Sequence, residues 1–353
     1  MTGKHQHLWP GVPLALGSAI LFGASAPLSK LLLGSVDPWL LAGILYVGAG
    51  LGLAAFSLIR RLIGLPNVEA PLQRADIPWL GLVILFGGVL GPLFLMLGLS
   101  RTSASSGSLL LNLEGLATMG IAWLFFRENV DRRLLLGAAA IIAGAVVLSW
   151  NGERLQLGLG SLFIAAACVS WGIDNNLTRK LSSSDPVQIA MIKGLVAGTT
   201  NLALAMTFGA SLPNAVLVSA GSLVGFLGIG VSLVMFVLAL RHLGTARTGA
   251  YFSLAPFIGA ALAVILFDEA ISVQLVTSGV LMGIGLWFHL AERHEHEHQH
   301  EALEHDHSHI HDEHHQHLHA EPSGEPHSHW HRHEPLRHKH AHYPDLHHRH
   351  SHK

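Results

Sequence analysis

Ser103–Glu128 reads SASSGSLLLNLEGLATMGIAWLFFRE, an apolar run with one acid, Glu114, near its middle and a charged stop at Arg127 and Glu128. About 141 residues later the pattern returns as GTARTGAYFSLAPFIGAALAVILFDE, Gly244–Glu269. Leu113 falls on Leu254, Ala122 on Ala263 and Glu128 on Glu269, whereas Glu114 falls on Ala255. A long apolar stretch that is duplicated, with an acid kept in one copy, is the pattern expected of a membrane transporter built from two halves.

Working outward, 50% of the 353 residues are hydrophobic and 12% are charged. A soluble domain carries about 25% charged residues. The charge is unevenly placed. Residues 1–293 hold 16 Lys+Arg and 12 Asp+Glu, and residues 294–353 hold 5 and 11, so the net charge of −2 joins a body of +4 to a tail of −6. The one cysteine, Cys168, lies in an apolar run and excludes a disulfide framework within the chain. The first apolar run, 11–33, lacks a cleavage signature and is read as a span. No phosphate-cradling GxxxxGK[ST] loop is present, so transport is expected to run on a gradient and no enzymatic activity is expected.

A bilayer crossing needs about 20 mostly apolar residues. Ten such stretches are read at 11–33, 38–59, 77–99, 103–126, 134–150, 157–178, 186–208, 214–240, 248–267 and 271–290. The duplication extends through them. Phe22-Gly23 falls on Trp171-Gly172, Leu28-Ser29-Lys30 on Leu177-Thr178-Arg179, and Asp37-Pro38 on Asp185-Pro186. Residues 11–150 and 157–290 are therefore read as two five-span repeats, and an odd number of spans forces opposite orientations. With the N-terminus inside, twelve Lys and Arg lie at inner ends and only Lys30, Arg101 and Arg154 at outer ends, a strong positive-inside bias. The expected fold is an all-α integral membrane protein of ten transmembrane helices in two inverted repeats, with a disordered C-terminal tail. Both termini are expected in the cytoplasm, in a cell (inner) membrane.

The first repeat carries Leu21-Phe22-Gly23, Thr102-Ser103-Ala104, Leu113-Glu114, Phe126-Arg127-Glu128, Gly137 and Ala143-Gly144, and the second carries Trp171-Gly172, Ala250 to Pro256 and Asp268-Glu269. In these residues the body resembles the EamA family of the drug/metabolite transporter superfamily. The resemblance implies a secondary transporter, usually an exporter, with a central cavity between its halves, and it implies no substrate. Gly115 departs from the family pattern, in which proline often follows the glutamate.

Polar groups within spans are the candidate pathway residues, because a charge near the bilayer centre costs a few kcal/mol and faces a cavity or a partner. Glu114 reads either as a proton- or cation-coupled carboxylate or as an interhelical tie. Lys193 reads as a counter-ion or as a side chain snorkelling to the inner surface. Asp174 and Asn175 offer oxygen ligands or close a helix beside Arg179 and Lys180. Asn112 and Asn201 read as interhelical hydrogen-bonding residues or ligands. Pro27, Pro92 and Pro256 mark kinks, with Pro27 and Pro256 nearest the pathway.

The tail holds 23 of the 27 histidines. They cluster as His294, His296, His298 and His300; His305, His307, His309 and His311; His314, His315, His317 and His319; His327, His329, His331 and His333; His338, His340 and His342; and His347, His348, His350 and His352. Neutral imidazole is the commonest nitrogen ligand of divalent transition metals, so the tail is expected to bind Ni, Co or Zn, with no other cofactor required. A pH-responsive polycation and a passive tail are the competing readings.

Three functions follow. The leading one is efflux of a divalent transition metal, Ni or Co, with the tail collecting ions. The resemblance of this fold plus a histidine-rich end to members linked to nickel and cobalt resistance adds to it. The second is export of a small organic metabolite or amino acid with the tail as regulator. The third is a metal store or sensor that does not transport. The expected partners are the lipid bilayer and a small solute or metal ion, with no nucleic acid; a homodimer is compatible with the sequence.

Overall fold

The computed structural model describes residues 11–65, 70–126, 132–150, 158–178, 180–181 and 184–290, and the backbone of 295–299, 303–309, 327–333 and 337–341. The first copy comprises α1 (Gly11–Leu32), α2 (Pro38–Leu62), a 3-10 turn (Arg74–Asp76), α3 (Ile77–Val83), a π-helical segment π1 (Ile84–Leu90), α4 (Gly91–Leu99), α5 (Ala104–Leu110), α6 (Leu113–Phe126) and α7 (Arg132–Leu148). The second comprises α8 (Leu159–Thr178), α9 (Pro186–Thr207), α10 (Ala215–Gly225), π2 (Phe226–Val231), α11 (Ser232–Phe252), α12 (Ala255–Phe267) and α13 (Val273–Leu290). The body is all-helical. Six helical stretches among the described residues are long and apolar enough to cross a membrane: 11–32, 38–62, 74–99, 104–125, 186–207 and 215–239.

The remaining expected spans fall short of that standard. α12 has 13 residues and α7 has 17. α8 carries Asp174 and two asparagines near its end. The expected break between 240 and 248 is absent, because α11 runs on to Phe252 and the chain turns at Ser253-Leu254 instead. In the tail, expected to be disordered, the described backbone forms four strands, β1 (Glu295–Gln299), β2 (Leu303–His309), β3 (His327–His333) and β4 (Arg337–Ala341). They pair antiparallel as β1 with β4 and β2 with β3. Their alternating His-x-His pattern has the period of two that a strand requires.

Local chemistry explains the shared starts. Asp37 accepts from Trp39 N and Leu40 N at 2.9 and 3.1 Å ahead of α2, and Asp185 does the same for Val187 N and Gln188 N at 2.8 and 3.4 Å ahead of α9. Pro38 and Pro186 follow at the first turn, where a missing N–H costs nothing. Beyond the ends of both helices stands a glycine with positive φ, Gly64 at 74° and Gly209 at 90°.

Packing follows the repeat. α2 lies mainly on its counterpart α9, and α7 on its counterpart α13. The other main pairs exchange under the repeat: α1 on α11 against α8 on α4, and α1 on α12 against α8 on α6. Lipid offers no hydrophobic drive between helices, so close approach rests on small residues. Gly50 and Gly194 face each other across α2 and α9, and a Cβ on Gly198 would strike the Val47 backbone. Gly144 abuts Ser278 and Met282, while Gly285 abuts Gly137 and Ile141. Large apolar side chains point outward instead, among them Leu51, Leu58, Phe125 and Ile265.

This packing makes Gly198→Leu costly. Forcing a side chain between α2 and α9 costs at least about 1–3 kcal/mol, whereas Gly81→Ala meets nothing within 4 Å. Thermal unfolding of purified protein should show a fall of several degrees for Gly198→Leu and none for Gly81→Ala; equal melting of the two variants would contradict the crossing.

Candidate functional site

The site grows from a proline. Pro92 stands at the first turn of α4, immediately after π1. It has no N–H to offer the preceding turn, and its ring crowds the carbonyls there. The wide π turn leaves backbone carbonyls of Gly87, Gly88 and Val89 facing side chains from other helices. Gly87 O accepts from Tyr46 Oη at 2.8 Å and from Trp171 Nε1 at 3.1 Å. Asn201 Nδ2 reaches Gly88 O and Val89 O at 3.3 and 3.4 Å, and its Oδ1 accepts from Trp39 Nε1 at 3.3 Å. Helices α2, α8 and α9 are thereby fixed around π1.

Against the Gly87 face of π1 lies an ion pair. Lys193 Nζ is 2.5 Å from Asp174 Oδ2, with side-chain exposures of 14% and 8%. A Cβ on residue 87 would collide with the Asp174 carboxylate and lie 2.5 Å from Lys193 Nζ, so only glycine lets the pair seat there. The second oxygen, Asp174 Oδ1, accepts from Thr178 Oγ1 at 3.2 Å. Lys193 is thus turned onto Asp174, not extended to the membrane edge.

The adjoining element is the broken fourth helix. α5 ends at Leu110, and α6 begins at Leu113 with Glu114 in its first turn. An acid in a first turn is favoured by the unpaired N–H groups and by the helix dipole. Glu114 Oε1 accepts from Asn175 Nδ2 at 3.0 Å, and the same amide reaches Thr118 Oγ1 at 3.1 Å. Asn176 Nδ2 binds Thr118 O and Gly172 O at 3.0 and 2.8 Å, while its buried Oδ1 has no partner among the described residues. Asp174 and Lys193 both act electrostatically on Glu114. A cavity of about 40 Å³ touches Lys193, Tyr46, Gly194 and Ile229.

The structure therefore brings together Glu114, Asn175, Asp174 and Lys193, and it adds Asn201 through π1. It keeps others apart. Asn112 Nδ2 turns to Leu109 O at 2.8 Å and Met282 Sδ at 3.7 Å. Pro27 is buried in α1. Pro256 does not kink a helix; it occupies the first turn of α12. The sequence reading did not single out Tyr46, Gly87 or Thr118, although a tyrosine within an apolar span and a Gly-Gly pair four residues before Pro92 were visible signals. Among the described residues no group of three or more His, Cys, Asp and Glu stands ready to hold a metal. His296, His298, His305, His307, His309, His327, His329, His331, His333, His338 and His340 lie on described strands. His294, His300, His311, His314, His315, His317, His319, His342, His347, His348, His350 and His352 lie outside the described residues.

The cluster occupies one of two symmetry-related places. Each charge is matched by an uncharged residue in the opposite copy: Glu114 of the first by Ala255, and Asp174 and Lys193 of the second by Ser25 and Leu45. The π segment recurs, with Gly228 packed on Ser25 as Gly87 packs on Asp174. The scaffold is duplicated, and the charges are not.

Comparisons with known proteins bear on the family and the fold. The profile of the EamA-like transporter family matches residues 9–150 and again 158–291. An uncharacterized transporter of Methanothermobacter thermautotrophicus is 31% identical over 302 residues, 80% of this chain and 86% of that protein. A probable amino-acid metabolite efflux pump of Salmonella typhimurium is 29% identical over 177 residues, 49% of this chain and 54% of that protein. A crystal structure 20% identical in sequence covers 79% of this chain and 96% of its own with a TM-score of 0.59, a likeness of fold alone.

Breaking a buried pair strands a charge at about 3–5 kcal/mol, whereas removing both partners costs far less. Lys193→Met is expected to lower the melting temperature markedly, and Lys193→Met with Asp174→Leu to recover most of the loss. A double-mutant cycle on purified protein measures this, and additive losses would show that the two groups do not interact.

Proposed function

The chain belongs to the EamA-like transporter family, and on that premise we propose that it exports a small charged organic solute, such as an amino acid or related metabolite, past Glu114, Asp174 and Lys193. As a member of that family it is a multi-pass membrane transporter and not an enzyme. In this proposal the chain crosses the cell membrane ten times in two inverted repeats with both termini in the cytoplasm, in keeping with the twelve-to-three bias of basic residues. Glu114 is the coupling carboxylate, exchanging a proton as cargo comes and goes.

One observation carries this reading: the Asp174–Lys193 pair seats against a π-helical turn, and Asn175, next to Asp174, holds the Glu114 carboxylate. Such a set can meet both ends of a cargo that bears opposite charges. It suits Ni²⁺ or Co²⁺ less well, because Lys193 already occupies Asp174 and a divalent ion would approach against a resident cation. The name of the Salmonella relative points the same way.

The tail in this proposal is a metal-responsive regulator that binds Ni, Co or Zn. The strand register supports it. His296 and His298 stand opposite His340 and His338, and His305, His307 and His309 stand opposite His331, His329 and His327. Residues two apart on a strand fall on one face, so this backbone register puts four histidine positions on a face of the first pair and six on a face of the second. Imidazole is a nitrogen ligand that these metals favour.

The test is efflux from cells carrying the full chain, a 1–293 truncation or Glu114→Gln. Full chain and truncation should lower the cellular content of an organic solute, with Glu114→Gln about tenfold or more weaker, the scale of about 1.4 kcal/mol. Glu114→Gln that blocks loss of nickel or cobalt and of nothing else would hand the body to the metal reading. Titrating Zn²⁺ into the full chain and the truncation should give heat only with the full chain.

A further inference from the structure

The connection between α12 and α13 grips helix ends of the first copy. Glu269 accepts from Ala104 N at 2.8 Å, from Ser105 N at 3.2 Å and from the Ser105 hydroxyl. These groups belong to the first turn of α5, whose N–H groups have no partners within the helix. The remaining two are met locally: Ser106 N donates to Ser103 Oγ at 3.3 Å, and Gly107 N to Ser103 O at 2.9 Å. Glu269 therefore completes, from the other copy, a cap that α5 cannot complete alone. A few residues on, Gln274 Nε2 holds Val147 O and Trp150 O at 2.6 and 2.7 Å. Lys30, close enough to Glu269 to act on it, donates to Leu99 O and Thr102 O on the other side of the junction.

The two copies differ at this junction. In the first copy α4 ends at Leu99, and a new helix starts at Ala104. In the second copy the matching residues, 241–244, run through the unbroken α11. One repeat thus shows the junction broken and clasped, and the other shows it continuous. Beneath the clasp is a cleft of about 280 Å³ lined by Ser103, Ser106, Glu269, Ser272 and Gln274. It offers water or cargo an exit once the clasp parts.

We propose that Glu269 is a positioning residue that latches this end of the path shut by capping α5, and that its release lets 100–103 straighten and the end open. This rests on the proposed function only in naming this end the outer one. Releasing the carboxylate need not strand the α5 N–H groups, since a helix continued from α4 satisfies them, as α11 does.

The test uses the full chain in proteoliposomes, with Cys168→Ala to remove the native thiol. Ser106→Cys reports on the cleft, and Ala190→Cys, beside the Lys193 cavity, reports on the other end. A membrane-impermeant maleimide, added from one face and then from the other, reads each reporter. Glu269→Gln should speed labelling of Ser106→Cys about tenfold and slow that of Ala190→Cys, with Glu269→Asp between it and the parent. Ser105→Ala, which removes only the hydroxyl bond, should shift both in the same senses but less, and it serves if Glu269→Gln does not fold. A cap that only adds stability predicts that both reporters rise together. That result, or no change in either, overturns the proposal. Labelling of Ser106→Cys from the inner face alone would overturn the orientation and leave the latch standing, and an absence of transport for every solute tried would count against the function without touching it.

Discussion

A bilayer interior holds no water, so each polar group placed there must be answered from within the protein. That constraint organises the first-copy side of this bundle. Pro92 takes a donor away at the end of π1, and the carbonyls that π1 presents call for donors. Tyr46, Trp171 and Asn201 supply them from three helices. The same turn carries Gly87, whose missing side chain admits the Lys193–Asp174 pair. Hydrogen bonding, helix geometry and charge placement are here consequences of one another.

The duplicated scaffold makes the asymmetry informative. Gly87 and Gly228 seat against counterpart residues, Asp174 and Ser25, so the two halves share a backbone plan. Only one of the two symmetry-related places carries charge, with Glu114 from the first copy and Asp174 and Lys193 from the second. A glycine crossing is cheap to keep in both copies because it serves packing. A buried acid is expensive, and one copy suffices for a single cargo at a time.

Much of the fold was legible from apolar run length and from the Asp-Pro starts of α2 and α9. The turn at Ser253-Leu254 was not, because 241–252 has no strong helix breaker beyond Gly244 and Gly249, and the repeat alignment invited a break where the first copy has one. The site was half legible. Charges in apolar spans announce themselves, so Glu114, Asp174 and Lys193 were found. Their pairing was hidden, since Lys193 near a span end looks like a snorkelling residue until the third dimension brings α8 beside α9. Pro256 misled in the opposite way, because a proline within an apolar run reads as a kink, while a proline opening a helix looks the same in one dimension.

A centre drawn from both copies also sets what holds still. α6 comes from the first copy and α8 and α9 from the second, and Asn175 ties α8 to α6 while Lys193 ties α9 to α8. Bonds of that kind join the two repeats into one block at this place, so any rocking between inverted units has to run along the seams elsewhere, as a beam rocks on a bearing that does not turn.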